Sequence, residues 1–190
     1  MTKTSRLLAI TLAASAALTA GPAFAHPGHD GSLLAGLVHP LSGVDHLAAM
    51  VAVGLWAATR PARQALTAPL AFMAMLAAGA VGGVLLGAPP LVEPMVAASV
   101  TVLGALIVLA ARLPSRLALG LIAATGALHG FAHGAEASGN LAAYFAGFLA
   151  ASALLHGAGW LVGRKAFLQA EGRFVAGAML GVTGLALLAA

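Results

Sequence analysis

Residues 33–58 read LLAGLVHPLSGVDHLAAMVAVGLWAA, an apolar run interrupted by a short polar stretch, HPLSGVDH, at positions 39–46. At 1.5 Å of helical rise per residue, such a run is long enough to cross the roughly 30 Å hydrocarbon core of a bilayer. The whole chain has this character, because 61% of its 190 residues are hydrophobic and only 7% are charged. Soluble domains carry about 25% charged residues. The composition therefore predicts a small polytopic membrane protein and excludes a cytosolic enzyme, a nucleic-acid-binding protein and a disordered chain.

The first 25 residues have the pattern of a secretory signal peptide. A positively charged start and an apolar stretch at 7–18 precede the small-residue motif Ala-Phe-Ala at 23–25, which is typical of a cleavage site. We expect residues 1–25 to be removed and residues 26–190 to form a single six-helix transmembrane domain. An uncleaved anchor is the alternative.

Six apolar runs follow the expected cleavage site and predict an all-α membrane bundle. Their approximate bounds are Leu33–Ala58, Ala65–Gly87, Leu91–Ala111, Leu117–Ala135, Leu141–Val162 and Phe174–Leu188. The first, third and fifth connecting loops carry arginine or lysine, whereas the second and fourth carry only glutamate. By the positive-inside rule the basic loops face the cytoplasm. This topology places both termini in the periplasm. It predicts a multi-pass protein of a bacterial inner membrane.

Ionisable side chains within these spans are concentrated in two short segments. The first is the HPLSGVDH stretch, and the second reads HGFAHGAE at positions 129–136. On a helix, His129, His133 and Glu136 share one face because they are four and three residues apart. Ionisable groups inside a bilayer mark a functional site by default, and imidazole with carboxylate suits a divalent transition metal. The second segment therefore predicts part of a metal site.

The first segment supplies the rest of the predicted site. His39 and His46 share a face, but Asp45 would point elsewhere on a regular helix. If Pro40 and Gly43 break the helix, the carboxylate can turn back toward the metal. Otherwise Asp45 orients an imidazole or pairs with another helix. The predicted metal ligands are His39, Asp45, His46, His129, His133 and Glu136.

Four further residues are weaker candidates for a metal path. His26 and His29, at the expected mature N-terminus, form either a capture site or a solvated polar tail. Met50 is either a soft ligand or, as is usual for methionine, core filler. His156, alone on the fifth span, is either a later step of the path or a hydrogen bond between helices.

The two motifs together resemble the HupE/UreJ family of nickel and cobalt permeases. The resemblance is carried by H-P-x-x-G-x-D-H on the first span and H-G-x-A-H-G-x-E on the fourth, within six spans that follow a signal peptide. The functional residues of the family fall on the six predicted ligands. Leu128 stands where the family commonly has phenylalanine, a change expected to affect packing more than ligation. The resemblance implies uptake of Ni²⁺, or of Co²⁺ in some members, for the maturation of hydrogenase, urease or cobalamin.

These features predict a secondary permease for a divalent transition metal, with no permanently bound cofactor. Because the sequence has no nucleotide-binding loop, direct ATP coupling within this chain is excluded. The alternative is an intramembrane zinc-dependent hydrolase with Asp45 or Glu136 as general base, although the chain has no H-E-x-x-H motif.

The expected partners are the metal ion and the lipid bilayer. The nine basic residues are too scattered to follow a nucleic acid backbone. Glycines at four-residue spacing are compatible both with a homo-oligomer and with packing inside one chain. Ligand type alone does not distinguish nickel from cobalt or zinc.

Overall fold

The computed structural model describes residues 31–190, except residues 88, 168 and 169. This part of the chain contains α-helices and one short 3₁₀-helix, Ala62–Gln64, and no strand. The α-helices are α1 (Leu33–Ser42), α2 (Val44–Ala58), α3 (Thr67–Leu86), α4 (Val92–Val108), α5 (Ser115–Glu136), α6 (Leu141–Ala166) and α7 (Ala170–Leu188). The all-α prediction is confirmed. The predicted signal peptide, together with His26 and His29, lies outside the described residues.

The first predicted span consists of two helices that meet at Gly43 with a bend of 87°. Pro40 has no N–H group to donate to the carbonyl of Gly36, so the helical ladder is weakened there and α1 ends two residues later. Gly43 is extended, with φ of −99° and ψ of 126°. A continuous helix over Leu33–Ala58 is therefore wrong, whereas the break expected from the proline and the glycine is observed.

Within the described residues, four helical stretches are long and apolar enough to cross a membrane. They are Ala62–Leu86, Ser115–Glu136, Leu141–Ala166 and Glu171–Leu188. The bent pair α1–α2 would be a fifth. Helix α4 has 17 residues, which corresponds to about 25 Å of helix and is shorter than the hydrocarbon core. The prediction of several apolar membrane helices is confirmed, whereas the number six is not.

Glycines bring helix α3 into close contact with helix α5. A Cβ atom on three glycines of α5 would lie within 2.4 Å of a backbone carbonyl oxygen of α3. The contacts pair Gly126 with Phe72, Gly130 with Leu76 and Gly134 with Ala80. Successive glycines of α5 contact successive residues of α3 in the same order along the chain, so the two helices are parallel. Small residues at four-residue spacing permit this close approach between membrane helices.

The ends of α2, α4 and α5 meet around Arg60. Its guanidinium donates hydrogen bonds to the carbonyl of Ala110 and, at 3.2 Å, to the hydroxyl of Ser115. It also lies 4.6 Å from the centre of the Trp56 ring, close enough for a cation–π interaction. Burial, with a smaller contribution from Arg173, lowers the pKa of Arg60. The basic loops predicted to face the cytoplasm are thus gathered at one end of the bundle.

Candidate metal centre

The bend at Gly43 brings three histidines from three helices together. His39 comes from α1, His46 from the first turn of α2, and His133 from the last turn of α5. One ring nitrogen of each lies within 4.8 Å of the corresponding nitrogen of the other two. With metal–imidazole bonds of about 2.0–2.1 Å, three nitrogens placed tetrahedrally around one ion are about 3.4 Å from one another. A contraction of at most about 1.4 Å would therefore let the three rings bind a common ion.

A direct hydrogen bond joins His39 to His133 in this cluster. It runs between Nε2 of His39 and Nδ1 of His133 with a length of 2.9 Å. The two rings are nearly perpendicular, with centroids 4.5 Å apart, and His133 is almost completely buried. Both nitrogens would bind an entering ion once the proton of this hydrogen bond has moved to the other nitrogen of the donor ring. The hydrogen bond thus holds two ligands close together before the ion arrives.

Asp45 holds the His46 ring in one orientation. Its Oδ1 accepts hydrogen bonds from the backbone N–H of His46, at 2.8 Å, and from the ring Nδ1. With the proton on Nδ1, Nε2 carries the lone pair, and it has no hydrogen-bond partner among the described residues. A carboxylate often orients a metal-binding imidazole in this way. Of the roles left open for Asp45, the geometry favours orientation of His46 over direct ligation.

Because Gly43 has no side chain, there is room beside it for the side chains of Asp45 and His46. A Cβ atom at that position would lie 2.8 Å from Oδ1 of Asp45 and 3.0 Å from Nδ1 of His46. The backbone angles of Gly43 are open to other residues, so the requirement for glycine comes from the neighbouring side chains.

His129 lies beside this cluster, one turn before His133 on α5. Its ring centroid is 5.0 Å from that of His46, and the residue is fully buried. The hydroxyl of Ser99, on α4, donates to the carbonyl of Val96 at 2.7 Å. Its oxygen is then left to accept a hydrogen bond from Nε2 of His129 at 2.9 Å. Nδ1 of His129 therefore carries the lone pair, and the described residues offer it no hydrogen-bond partner.

Ser99 was not among the residues selected from the sequence. Serine is common in membrane helices, where its hydroxyl often bonds to its own backbone. The only signal was a small polar residue within the apolar run of α4. Its role becomes visible once α4 is placed against α5.

Besides Asp45 and His129, three predicted residues among those that the structure describes lie outside the three-histidine cluster. Glu136, the last residue of α5, has an exposed side chain and is not part of the cluster. Met50 is fully buried in the apolar core. Its carbonyl accepts a 2.7 Å hydrogen bond from Nδ1 of His156. His156 therefore links α6 to α2.

Buried histidines gathered inside a bundle of apolar helices are the features of a polytopic membrane protein that handles a transition metal. The sequence model of the HupE / UreJ protein family matches residues 13–187. Protein HupE of Rhizobium leguminosarum bv. viciae is 42% identical over 137 residues, which cover 70% of this chain and 72% of that protein. No solved structure matches the chain. The chain belongs to the HupE/UreJ family.

This membership confirms the resemblance drawn from the two motifs. HupE/UreJ proteins are membrane transporters of the nickel/cobalt permease type, associated with hydrogenase and urease, and are not enzymes. Neither comparison supports the intramembrane hydrolase.

Proposed function

We propose that this protein is a secondary permease that takes up a divalent transition metal, nickel or alternatively cobalt. The observation that carries the proposal is the cluster of His39, His46 and His133, whose ring nitrogens lie within 4.8 Å of one another. Neutral imidazole is a good ligand for both metals, and zinc would bind as well. Selection among them depends on site geometry and metal availability rather than on affinity order.

The predicted ligands take different parts in this proposal. His39, His46 and His133 bind the incoming ion, and His129 receives it next, because its Nδ1 is free. Asp45 orients His46, as its hydrogen bonds to that residue suggest. Glu136, exposed at the end of α5, attracts the cation toward the site, since carboxylates at an entrance raise the local concentration of cations.

The proposed topology has six spans after a cleaved signal peptide, with both termini in the periplasm of a bacterium and the domain 26–190 in the inner membrane. The relative directions of the packed helices support this topology. Helices α3 and α5 are parallel, whereas α4 and α7 are antiparallel, since Gly104 approaches Gly177 and Gly181 while Gly184 approaches Thr101. The histidine cluster then lies in the outer half of the bundle. His26 and His29 would capture metal outside the membrane, and the ion would supply the maturation of hydrogenase, urease or cobalamin.

Uptake of radiolabelled nickel and cobalt by metal-starved cells tests this proposal. We expect His46→Ala and His133→Ala each to lower the initial uptake rate by about ten-fold or more at equal membrane expression. Thr125→Ala is the matched control, because Thr125 is a buried polar residue of α5 whose hydroxyl bonds to the carbonyl of Ile122 in its own helix. Cells expressing the unmodified chain that accumulate no more metal than cells without it would contradict the proposal.

A further inference from the structure

His156 is a buried histidine whose structural role accounts for only one of its two ring nitrogens. The residue is 2% exposed. Its Nδ1 must donate to the carbonyl of Met50, since a carbonyl can only accept, so Nε2 carries the lone pair. Nε2 is shielded from solvent and has no hydrogen-bond partner among the described residues. Buried polar atoms are normally paired, so an unpaired one calls for an explanation.

His156 lies deeper in the bundle than His129. Helices α5 and α6 are joined by a short turn between Glu136 and Leu141, so the depth of a residue on either helix can be measured from this end of the bundle. At 1.5 Å per residue, His129 is about 10 Å and His156 about 22 Å from that end along their helices. The two rings are therefore too far apart to share one ion, and His156 lies toward the basic end of the bundle.

The side chain of Phe72 contacts both of these histidines. Its ring centroid is 5.8 Å from that of His129 and 5.3 Å from that of His156, and the side chain is fully buried. The backbone at this position is fixed, because its carbonyl packs against Gly126 of α5. The phenylalanine ring has no lone pair with which to coordinate a transition-metal ion, and apolar constrictions block ions by excluding water. The ring therefore interrupts the series of buried imidazoles.

We propose that His156 is a separate, inner metal-binding step and that Phe72 is the barrier between it and the outer histidines. This inference rests on the proposed permease function. The ion leaves Nδ1 of His129, passes Phe72 when that ring rotates aside, and binds Nε2 of His156 before it is released toward the basic end. A single imidazole holds a divalent ion weakly, which suits a transient step.

Nickel uptake and nickel binding, measured on the same variants, separate the inner step from the outer site. His156→Gln keeps an N–H group for the carbonyl of Met50 but removes the imidazole lone pair. We expect ⁶³Ni uptake by cells to fall about ten-fold or more. The Kd of the purified full chain for nickel should be unchanged, since the outer cluster is intact.

The barrier is tested by shortening the aromatic side chain. We expect Phe72→Leu to raise the initial rate of ⁶³Ni uptake by about two-fold or more, because a smaller group closes the constriction less completely. Leu76→Ala is the matched control. It also shortens a fully buried side chain of α3, one turn away, and should leave the uptake rate unchanged.

Three results would overturn the inference while leaving the permease function in place. They are wild-type uptake by His156→Gln, loss of nickel binding by that variant, and uptake by Phe72→Leu no faster than by Leu76→Ala. If His156→Gln does not reach the membrane, the comparison between Phe72→Leu and Leu76→Ala decides alone. Absence of uptake by the unmodified chain would instead overturn the proposed function itself.

Discussion

Three of the buried histidines share one arrangement at the scale of the single residue. In each of them, one ring nitrogen donates a hydrogen bond to an oxygen atom, and the other ring nitrogen has no hydrogen-bond partner among the described residues. The accepting oxygen belongs to Asp45 for His46, to Ser99 for His129 and to Met50 for His156. Metals bind the deprotonated nitrogen of a neutral imidazole. The arrangement therefore presents the ligand form of each ring to the interior of the bundle.

Asp45→Asn tests the orienting role of the carboxylate. Asparagine keeps an oxygen for the backbone N–H of His46 but loses the charge that polarises the ring, so we expect nickel affinity of the purified chain to fall about 10–100-fold. The number of imidazoles around nickel, measured by X-ray absorption spectroscopy, should stay the same. Ser42→Ala, which removes an exposed hydroxyl bonded to the carbonyl of His39 in the same bend, should bind nickel normally. Loss of an oxygen ligand from the nickel spectrum of Asp45→Asn would make Asp45 a direct ligand.

The histidines of the site could be predicted from the sequence, because ionisable residues stand out in an apolar run. Ser99 and Phe72 could not, since their roles depend on which helix packs against His129. Glu136 shares a helical face with His133, and that pattern made it a candidate ligand. Its position at the end of α5, where the side chain reaches the surface, depends on where the helix ends.

At the scale of the helix, the apolar runs located the elements to within a few residues but not the angle of the first span. Pro40 and Gly43 indicate a break, whereas the 87° bend depends on tertiary packing. Both α1 and α2 pack against α6, and Gly36 and Gly54 allow backbone contact on either side of the break. The sequence of the first span alone carries no information about its packing against α6.

Close packing between α3 and α5 predicts that two glycines of α5 respond oppositely to the same substitution. A Cβ atom on Gly130 would lie 1.9 Å from the carbonyl oxygen of Leu76, so Gly130→Ala must push the helices apart. We expect it to lower the free energy of unfolding by about 1–3 kcal/mol. Outside the adjacent residues and the nearby backbone of α5, a Cβ atom on Gly120 would meet no atom of the described chain within 4 Å, and Gly120→Ala should raise stability by up to about 1 kcal/mol. Unfolding of the detergent-solubilised chain in SDS measures both, and equal stabilities would contradict the packing.

At the scale of the whole molecule, the two ends of the bundle differ in charge. The carboxylate of Glu93 is near enough to those of Glu136 and Asp45 to interact electrostatically with each of them. The opposite end gathers the basic loops around Arg60. Under the proposed topology a cation approaches the acidic end from the periplasm. The same distribution of charge satisfies the positive-inside rule, so one feature serves both insertion and ion attraction.

This polarity can be tested directly, because the chain has no cysteine and needs no background substitutions before labelling. Ser138, in the turn between α5 and α6, and Ala111, after α4, are both exposed and lie at opposite ends of the bundle. With a membrane-impermeant maleimide, we expect Ser138→Cys to be labelled in intact spheroplasts and Ala111→Cys only after permeabilisation. Labelling of both sites in intact spheroplasts would contradict the assignment of sides. The reverse pattern would put the histidine cluster on the cytoplasmic side and would contradict entry of the metal through a periplasmic site.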